Sequence, residues 1–150
     1  MIKNNEPKNP KEYLYSKMLK EYFSCGDRKF YTKKVRQKLV NDFGGCCEIC
    51  KTIYRLEFAH MNNTTVEGTG RGIILRLADI TLNKCLFKLL CKRCHAVFDI
   101  LCLHCNVSKD VVFLKTKKLI NLEPNIKHSS LLSFDGDKFV LKSKYVIQCL

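Results

Sequence analysis

The N-terminal part of the chain contains two stretches in which apolar residues recur at helical spacing. In KEYLYSKMLKEYF these residues are Tyr13, Leu14, Met18 and Phe23. Cys25-Gly26-Asp27 follows as a stop, so this pattern predicts a short amphipathic helix. YTKKVRQKLVNDF predicts a second helix with one apolar side and one basic side, which ends at the C-cap signal Gly44-Gly45.

The middle of the chain predicts two strands and a helix. RLEFAHM alternates apolar Leu56 and Phe58 with polar neighbours, and CLFKLL predicts a second strand. Between them, NNTTVEGTGRG has the composition of a loop and ILRLADI fits a helical turn. HAVFDILCLHC predicts a helix on which His95 and Asp99 are neighbours one turn apart. Its inward face is formed by Cys94, Phe98, Leu101 and Cys105.

The C-terminal part of the chain has a weaker pattern. FLKTKKLINL fits a strand or a basic linker, and LLSFDGDKFVLKS predicts a hairpin around Asp135-Gly136. Taken together, the elements predict an α+β fold with N-terminal helices and a C-terminal extension.

The chain is strongly basic. Lysine and arginine total 27 residues against 14 acidic ones, which gives a formal charge of +13 and a pI near 9.4. Such a chain is expected to bind polyanions, with nucleic acid as the first candidate and an anionic membrane surface as the second. Apolar runs are far shorter than the roughly 20 residues of a membrane-spanning helix, and the start is too polar for a secretory signal. We therefore expect an intracellular protein, cytoplasmic or nuclear, that is neither secreted nor in a membrane.

The ten cysteines fit metal binding better than a disulfide framework, since reducing compartments disfavour disulfides. The sequence contains two Cys-x-x-Cys pairs, Cys47 with Cys50 and Cys91 with Cys94. Two such hairpins can face each other and surround zinc with four sulfurs in a tetrahedral, closed site. The sequence therefore predicts a structural zinc site with these four ligands.

Three further cysteines leave the choice of ligands open. Cys46 adjoins Cys47 and can take its place, although the hairpin spacing favours Cys47. Cys102 and Cys105 form a third Cys-x-x-Cys pair, which either binds a second zinc or packs in the core. A helix places Cys102 about 12 Å from Cys94, too far for one zinc, so we favour the core.

The residues around the two pairs occur in a familiar order. Phe43-Gly44-Gly45 precedes the first pair, Leu56-Glu57-Phe58-Ala59-His60 follows it, then a Gly-x-Gly-Arg-Gly loop, and Leu89-Leu90-Cys91-x-x-Cys94-His95 ends the series. From Leu39 to Asp99 the chain thus resembles the HNH endonuclease family, in the version with a ββα-metal core stabilised by zinc on two Cys-x-x-Cys pairs. The resemblance implies a metal-dependent nuclease.

The resemblance also implies roles for single residues. His60 takes the place of the general base that activates water, and His95 that of the metal-binding histidine. Asp99 falls where a second ligand of the catalytic ion, Mg²⁺ or Mn²⁺, often lies. The chemistry of the residues agrees, because a histidine and a carboxylate one helical turn apart can bind one divalent ion.

Two positions depart from the family pattern. Ala59 stands where many members have an aspartate or histidine ligand. Leu86 stands where the family commonly has the asparagine that orients the base, and the nearest candidates for that role are Asn83 and Asp79.

The leading hypothesis is an HNH endonuclease that cleaves DNA, most simply double-stranded DNA. We expect contacts to the DNA backbone from Arg71, Arg76, Lys92 and Arg93, with a solvated loop as the alternative for the first two. We divide the chain into an N-terminal helical extension (1–38), the nuclease-like core (39–105) and a C-terminal extension (106–150). The sequence leaves the oligomeric state open, with a dimer as one option.

Two other hypotheses remain. A non-catalytic, zinc-containing nucleic-acid-binding protein on a degenerate HNH scaffold is favoured by Ala59 and Leu86. A zinc-dependent protein-interaction module is disfavoured by the charge of +13. His104 and His128 have no supporting context and are expected on the surface.

Overall fold

Helices predominate in the computed structural model, which describes residues 9–61 and 72–146. Its architecture is mixed α+β, and the strands form two small antiparallel sheets. The described residues pack as two units, one made of 9–44 and 72–87 and the other of 45–61 and 88–146. The α+β fold class is thus confirmed. The division into an N-terminal extension (1–38), a nuclease-like core (39–105) and a C-terminal extension (106–150) stays a prediction.

Three helices make up the first unit. They are α1 (Pro10–Ser24), α2 (Arg28–Asp42) and α3 (Ile73–Leu82), and a 3-10 turn at Lys84–Leu86 follows. The side chains of Asn9 and Asp27 accept hydrogen bonds from the first turns of α1 and α2, which fixes where these helices begin. α3 contacts both other helices. The buried side chains of the three helices are Met18, Leu39, Val40, Ile74, Leu77, Ala78 and Ile80.

The second unit contains both sheets and the other helices. Its elements are β1 (Leu56–His60), β2 (Phe87–Cys91, whose first residue belongs to the first unit), α4 (Lys92–His104), α5 (Lys109–Leu122), a 3-10 turn (His128–Ser130), β3 (Leu132–Asp135), β4 (Lys138–Leu141) and α6 (Ser143–Val146). β1 pairs with β2, and α4, which follows β2 directly, packs against β1. α5 packs in turn against α4.

The predicted hairpin is confirmed. Asp135 pairs with Lys138, so β3 and β4 are joined by a two-residue turn. Gly136 in this turn has a φ of 68°, in the left-handed region that favours glycine.

The other predicted elements are confirmed with shifted ends. α2 and α4 begin earlier than predicted, at Arg28 and Lys92, because Asp27 and Cys91 serve as their N-caps. ILRLADI forms most of the full helix α3 instead of a single turn. The loop NNTTVEGTGRG lies outside the described residues apart from Gly72.

The strand or linker predicted for FLKTKKLINL is wrong, because this stretch lies within α5. Ser108 caps the helix by accepting a hydrogen bond from the N–H of Val111 at 3.4 Å. One face of α5 is buried and consists of Val112, Phe113, Thr116, Leu119 and Ile120. The polar Thr116 lies in the middle of this face, where its hydroxyl donates to the Val112 carbonyl at 2.8 Å. Because Thr116 is polar, it interrupts the apolar pattern from which a helix would be predicted.

Among the described residues, none of the helices combines the length and the apolarity that crossing a membrane requires.

Candidate metal centre

The four cysteines predicted to bind zinc lie together in the second unit. Their Sγ atoms are all within 4.8 Å of one another, and those of Cys50 and Cys91 are 3.6 Å apart. Tetrahedral zinc with Zn–S bonds of about 2.3 Å needs sulfurs about 3.8 Å apart, so the cluster has the required size. Cys47, Cys91 and Cys94 are buried and Cys50 is half-buried. The group can therefore hold a metal ion such as zinc.

Backbone hydrogen bonds shape the two hairpins. In the first, the N–H of Cys47 donates to the Thr52 carbonyl at 2.8 Å, and the N–H of Lys51 donates to the Cys47 carbonyl at 3.0 Å. In the second, the Sγ of Cys91 accepts from the N–H of Cys94 at 3.4 Å, in the first turn of α4. The cysteine spacing of the sequence thus becomes two turns that each present a pair of sulfurs.

The two hairpins are also joined by the backbone. The N–H of Glu48, in the first hairpin, donates to the carbonyl of Leu89 in β2 at 2.9 Å. The Lys88 ammonium lies 3.1 Å from the Glu48 carboxylate, which adds a partly exposed ion pair at the same place. These contacts hold the first cysteine pair beside the strand that leads to the second.

The thiols of Cys47, Cys91 and Cys94 bind protons unequally. A hydrogen bond with the Cys94 thiol lowers the pKa of Cys47 to about 4. The same hydrogen bond raises the pKa of Cys94, and burial raises the pKa of Cys91. Thiolates this close repel one another, so they ionise together only around a cation. Four sulfurs in tetrahedral reach of one another are the donor set that zinc prefers.

The other cysteines in the described part of the chain lie outside this cluster. Cys46 is half-buried and is not part of it. Burial raises the pKa of Cys102 to about 11, which keeps this thiol protonated at neutral pH. Cys105 is buried and disulfide-bonded. Among the described residues, Cys102 and Cys105 form no second metal cluster.

His95 lies between two carboxylates at the start of α4. Its Nδ1 is 2.7 Å from Oε2 of Glu57, a residue of β1. Its Nε2 is 3.6 Å from Oδ2 of Asp99, one turn further along α4. The His95 side chain is only 20% exposed, whereas that of Asp99 is 61% exposed, so this edge of the group is open to solvent.

His60 is the last residue of β1. It is half-buried, and its Nε2 is shielded from solvent. α4 packs against β1, so the two histidines lie on adjacent elements of the same unit. Ala59 is fully buried, and its methyl side chain offers no ligand at the position before His60.

The polar residues near Leu86 bond to each other. The side-chain amide of Asn83 donates to Oδ1 of Asp79 at 2.8 Å, and the Lys11 ammonium is 3.5 Å from the same oxygen. All three belong to the first unit. Asn83 is the C-cap of α3, and its bond to Asp79 lies at the end of this helix.

The four cations predicted to contact DNA have different surroundings. Arg71 lies outside the described residues. Arg76 is exposed on α3, and Lys92 is exposed in the first turn of α4. The guanidinium of Arg93 donates to the carbonyls of Pro124 and Ile126, so it also holds the segment after α5 in place.

Glu57 was not singled out from the sequence. Its partner His95 is 38 positions away, and no local period connects the two. The available indication was its place on the polar side of the strand predicted for RLEFAHM.

Comparisons of this chain with protein-family models, with curated proteins and with solved structures found no match. Its resemblance to HNH endonucleases therefore rests on its own residues.

Proposed function

We propose that this protein is an HNH-type endonuclease that hydrolyses DNA phosphodiester bonds with the help of a divalent metal ion. The proposed core spans residues 39–105, with β1, β2 and α4 as its ββα-metal elements. One observation carries the proposal. A histidine directly after a zinc-type cysteine pair lies between two carboxylates, on a helix that packs against the strand ending in a second histidine.

The proposed zinc has a structural role. All four of its ligands come from the chain, which leaves no position for water or substrate. The cysteine pairs lie just before β1 and at the junction of β2 and α4. A metal bound there would hold the strand of His60 against the helix of His95.

His95 and Asp99 are the proposed ligands of the catalytic ion, Mg²⁺ or Mn²⁺. The 3.6 Å between Nε2 and Oδ2 allows both atoms to bind one ion. A histidine that binds metal through one nitrogen usually has its other nitrogen hydrogen-bonded to a carboxylate, and Glu57 is placed for this. Such an ion would stabilise negative charge on the scissile phosphate and the leaving oxygen.

His60 is the proposed general base. Its place at the end of β1, next to α4, suits a group that takes a proton from the attacking water. Because Ala59 supplies no ligand, phosphate and water would have to complete the coordination of the ion. We therefore expect weaker metal binding than in a site with three protein ligands.

The positive charge supports a nucleic acid substrate. The formal charge of +13 favours salt-sensitive binding to phosphates with little sequence preference. Arg76 and Lys92 are exposed and available to contact DNA phosphates. Arg71 is proposed to make the same kind of contact. Arg93 is proposed as a further phosphate contact, although its guanidinium also donates to carbonyls.

The proposal predicts that cleavage depends on His60. Supercoiled plasmid is incubated with Mg²⁺ or Mn²⁺ and wild-type protein, His60→Ala or the control His104→Ala, whose histidine is exposed at the end of α4. Removing a general base is expected to lower the rate by about 100-fold or more. Wild type and His104→Ala should produce nicked or linear plasmid at similar rates.

The outcome separates the two main hypotheses. Equal cleavage by His60→Ala and wild type would rule out the proposed base. Tight DNA binding without any metal-dependent cleavage would instead favour the non-catalytic nucleic-acid-binding protein. That alternative is supported by the buried Ala59, which cannot bind metal, and by the supply of only two protein ligands, His95 and Asp99, for the proposed catalytic ion.

A further inference from the structure

A pocket of about 810 Å³ in the second unit is lined by none of the proposed catalytic residues His60, His95 and Asp99. Its walls come from three places: the segment from Cys50 to Arg55, the first turn of α4, and the segment Pro124–His128 that follows α5. Its volume falls within the roughly 300–1,000 Å³ that is usual for sites that bind small molecules or parts of larger ones.

The pocket is lined by positive charge. Its cationic residues are Arg55, Lys92, Arg93 and Lys127, and His128 adds an imidazole. No aspartate or glutamate is among the lining residues. In the part of the chain that the structure describes, none of the four cations forms an ion pair. Four cations without a carboxylate partner in a concave surface attract an anion more strongly than scattered ones do.

The cationic wall is held rigidly. Arg55 has a φ of 50°, a left-handed conformation that is uncommon outside glycine, and its carbonyl accepts a hydrogen bond from the N–H of Lys92 at 2.8 Å. The Arg93 guanidinium, bonded to the carbonyls of Pro124 and Ile126, ties the C-terminal segment to α4. The backbone that carries Arg55 and Lys92 and the guanidinium of Arg93 are therefore fixed before any ligand arrives.

An aromatic ring lies at the edge of this pocket. Tyr54 is 74% exposed, more than any other aromatic side chain in the described residues. It directly precedes the conformationally held Arg55, and both residues line the pocket. An exposed ring next to a cluster of cations is the combination with which proteins bind unpaired nucleotides, by stacking the base and neutralising the phosphate.

We propose that this pocket binds one nucleotide of a single-stranded nucleic acid. The phosphate lies among Arg55, Lys92 and Lys127, and the base stacks on Tyr54. A duplex is disfavoured, because a paired and stacked base cannot reach the ring. This inference rests on the proposed function only in taking nucleic acid as the partner, and it assigns a role to the C-terminal extension.

The same cations could instead neutralise the charge of the zinc cluster. Cys50 and Cys91 also line the pocket, and four thiolates around one zinc carry a net negative charge. The cations then serve to balance the metal cluster. If so, removing them weakens zinc retention and leaves nucleic acid binding unchanged.

The test measures binding of a fluorescein-labelled oligothymidylate by anisotropy, with the duplex of the same length beside it. All variants carry His60→Ala and are measured without added Mg²⁺, so that no cleavage occurs. Tyr54→Ala and Lys127→Ala are compared with Tyr13→Ala and Lys118→Ala, whose side chains are exposed elsewhere. Zinc content is measured for each variant.

Tyr54→Ala is expected to weaken single-strand binding by roughly 5- to 150-fold and duplex binding much less. Lys127→Ala is expected to lower the slope of log K against log salt by about 0.7 for the single strand. Both controls should behave like the parent.

Equal single-strand affinity for Tyr54→Ala and Tyr13→Ala overturns the proposal, as does loss of zinc from Lys127→Ala with unchanged binding. Thymidine monophosphate that binds as tightly as the strand also contradicts it, because the site would then take free nucleotides. These results are independent of plasmid cleavage, so the pocket and the nuclease proposal can fail separately.

Discussion

At the scale of single residues, the two adjacent cysteines Cys46 and Cys47 have different surroundings. Cys47 is fully buried, and its sulfur belongs to the four-cysteine cluster. Cys46 is half-buried and lies outside it. The difference is associated with the hydrogen bond between the Cys47 N–H and the Thr52 carbonyl, which makes Cys47 part of the hairpin.

We therefore predict that Cys47→Ser loses zinc and Cys46→Ser keeps it. A hydroxyl is a much poorer zinc ligand than a thiolate, so the three remaining cysteines should hold the ion weakly. Native mass spectrometry counts the zinc ions per chain. One zinc in wild type and Cys46→Ser, and less than one in Cys47→Ser, is the expected pattern. Zinc loss from Cys46→Ser alone would show that the ligand has been assigned wrongly.

The thiol pKa values predict how zinc binding depends on pH. The raised pKa values of Cys91 and Cys94 mean that both thiols carry protons at neutral pH when no cation is present. The lowered pKa of Cys47, about 4, means that this residue is already a thiolate there. Zinc must displace the bound protons, so its affinity should fall as the pH falls.

Calorimetric titration of zinc into the metal-free protein can measure this proton release. Two buffers with different ionisation enthalpies should give different apparent enthalpies, because each zinc displaces at least the protons of Cys91 and Cys94 near neutral pH. Below about pH 4, protonation of Cys47 should weaken binding further. Identical enthalpies in both buffers would contradict the proton assignment.

At the scale of secondary structure, α5 supports the helix that carries His95. It packs on α4, whose inward side chains Val97, Phe98 and Leu101 are buried. The Lys88 ammonium also lies 5.1 Å from the ring centre of Phe113 in α5. A segment with the composition of a basic linker thus forms part of the core of the second unit.

This packing predicts that two leucines of α5 differ sharply in importance. Leu119 is 2% exposed and Leu114 is 64% exposed. Leu119→Ala should lower the free energy of unfolding of the zinc-loaded protein by about 2–5 kcal/mol, because it leaves a cavity. Leu114→Ala should change it by no more than about 0.5 kcal/mol. Urea denaturation followed by circular dichroism measures both, and similar effects of the two changes would argue against the packing of α5.

At the scale of the whole molecule, the candidate site is assembled from distant parts of the chain. α3, which belongs to the first unit, lies in sequence between β1 and β2. Cys50 and Cys91, whose sulfurs are 3.6 Å apart, are separated by 41 positions. A metal that joins these positions closes a long loop, and its binding free energy contributes to folding.

Several features could be predicted from the sequence because they depend on local spacing. The cysteine pairs, the neighbouring His95 and Asp99, and the turn at Gly136 all involve residues at most a few positions apart. The backbone geometry of a turn or a helix then places their side chains, whatever surrounds them.

Other features were decided by the tertiary structure. The contact of Glu57 with His95 joins residues 38 positions apart, and Arg93 reaches carbonyls 31 and 33 positions further along the chain. The pocket beside Tyr54 exists only because the segment after α5 returns to the start of α4. Such contacts depend on how whole elements pack, and no period in the sequence encodes them.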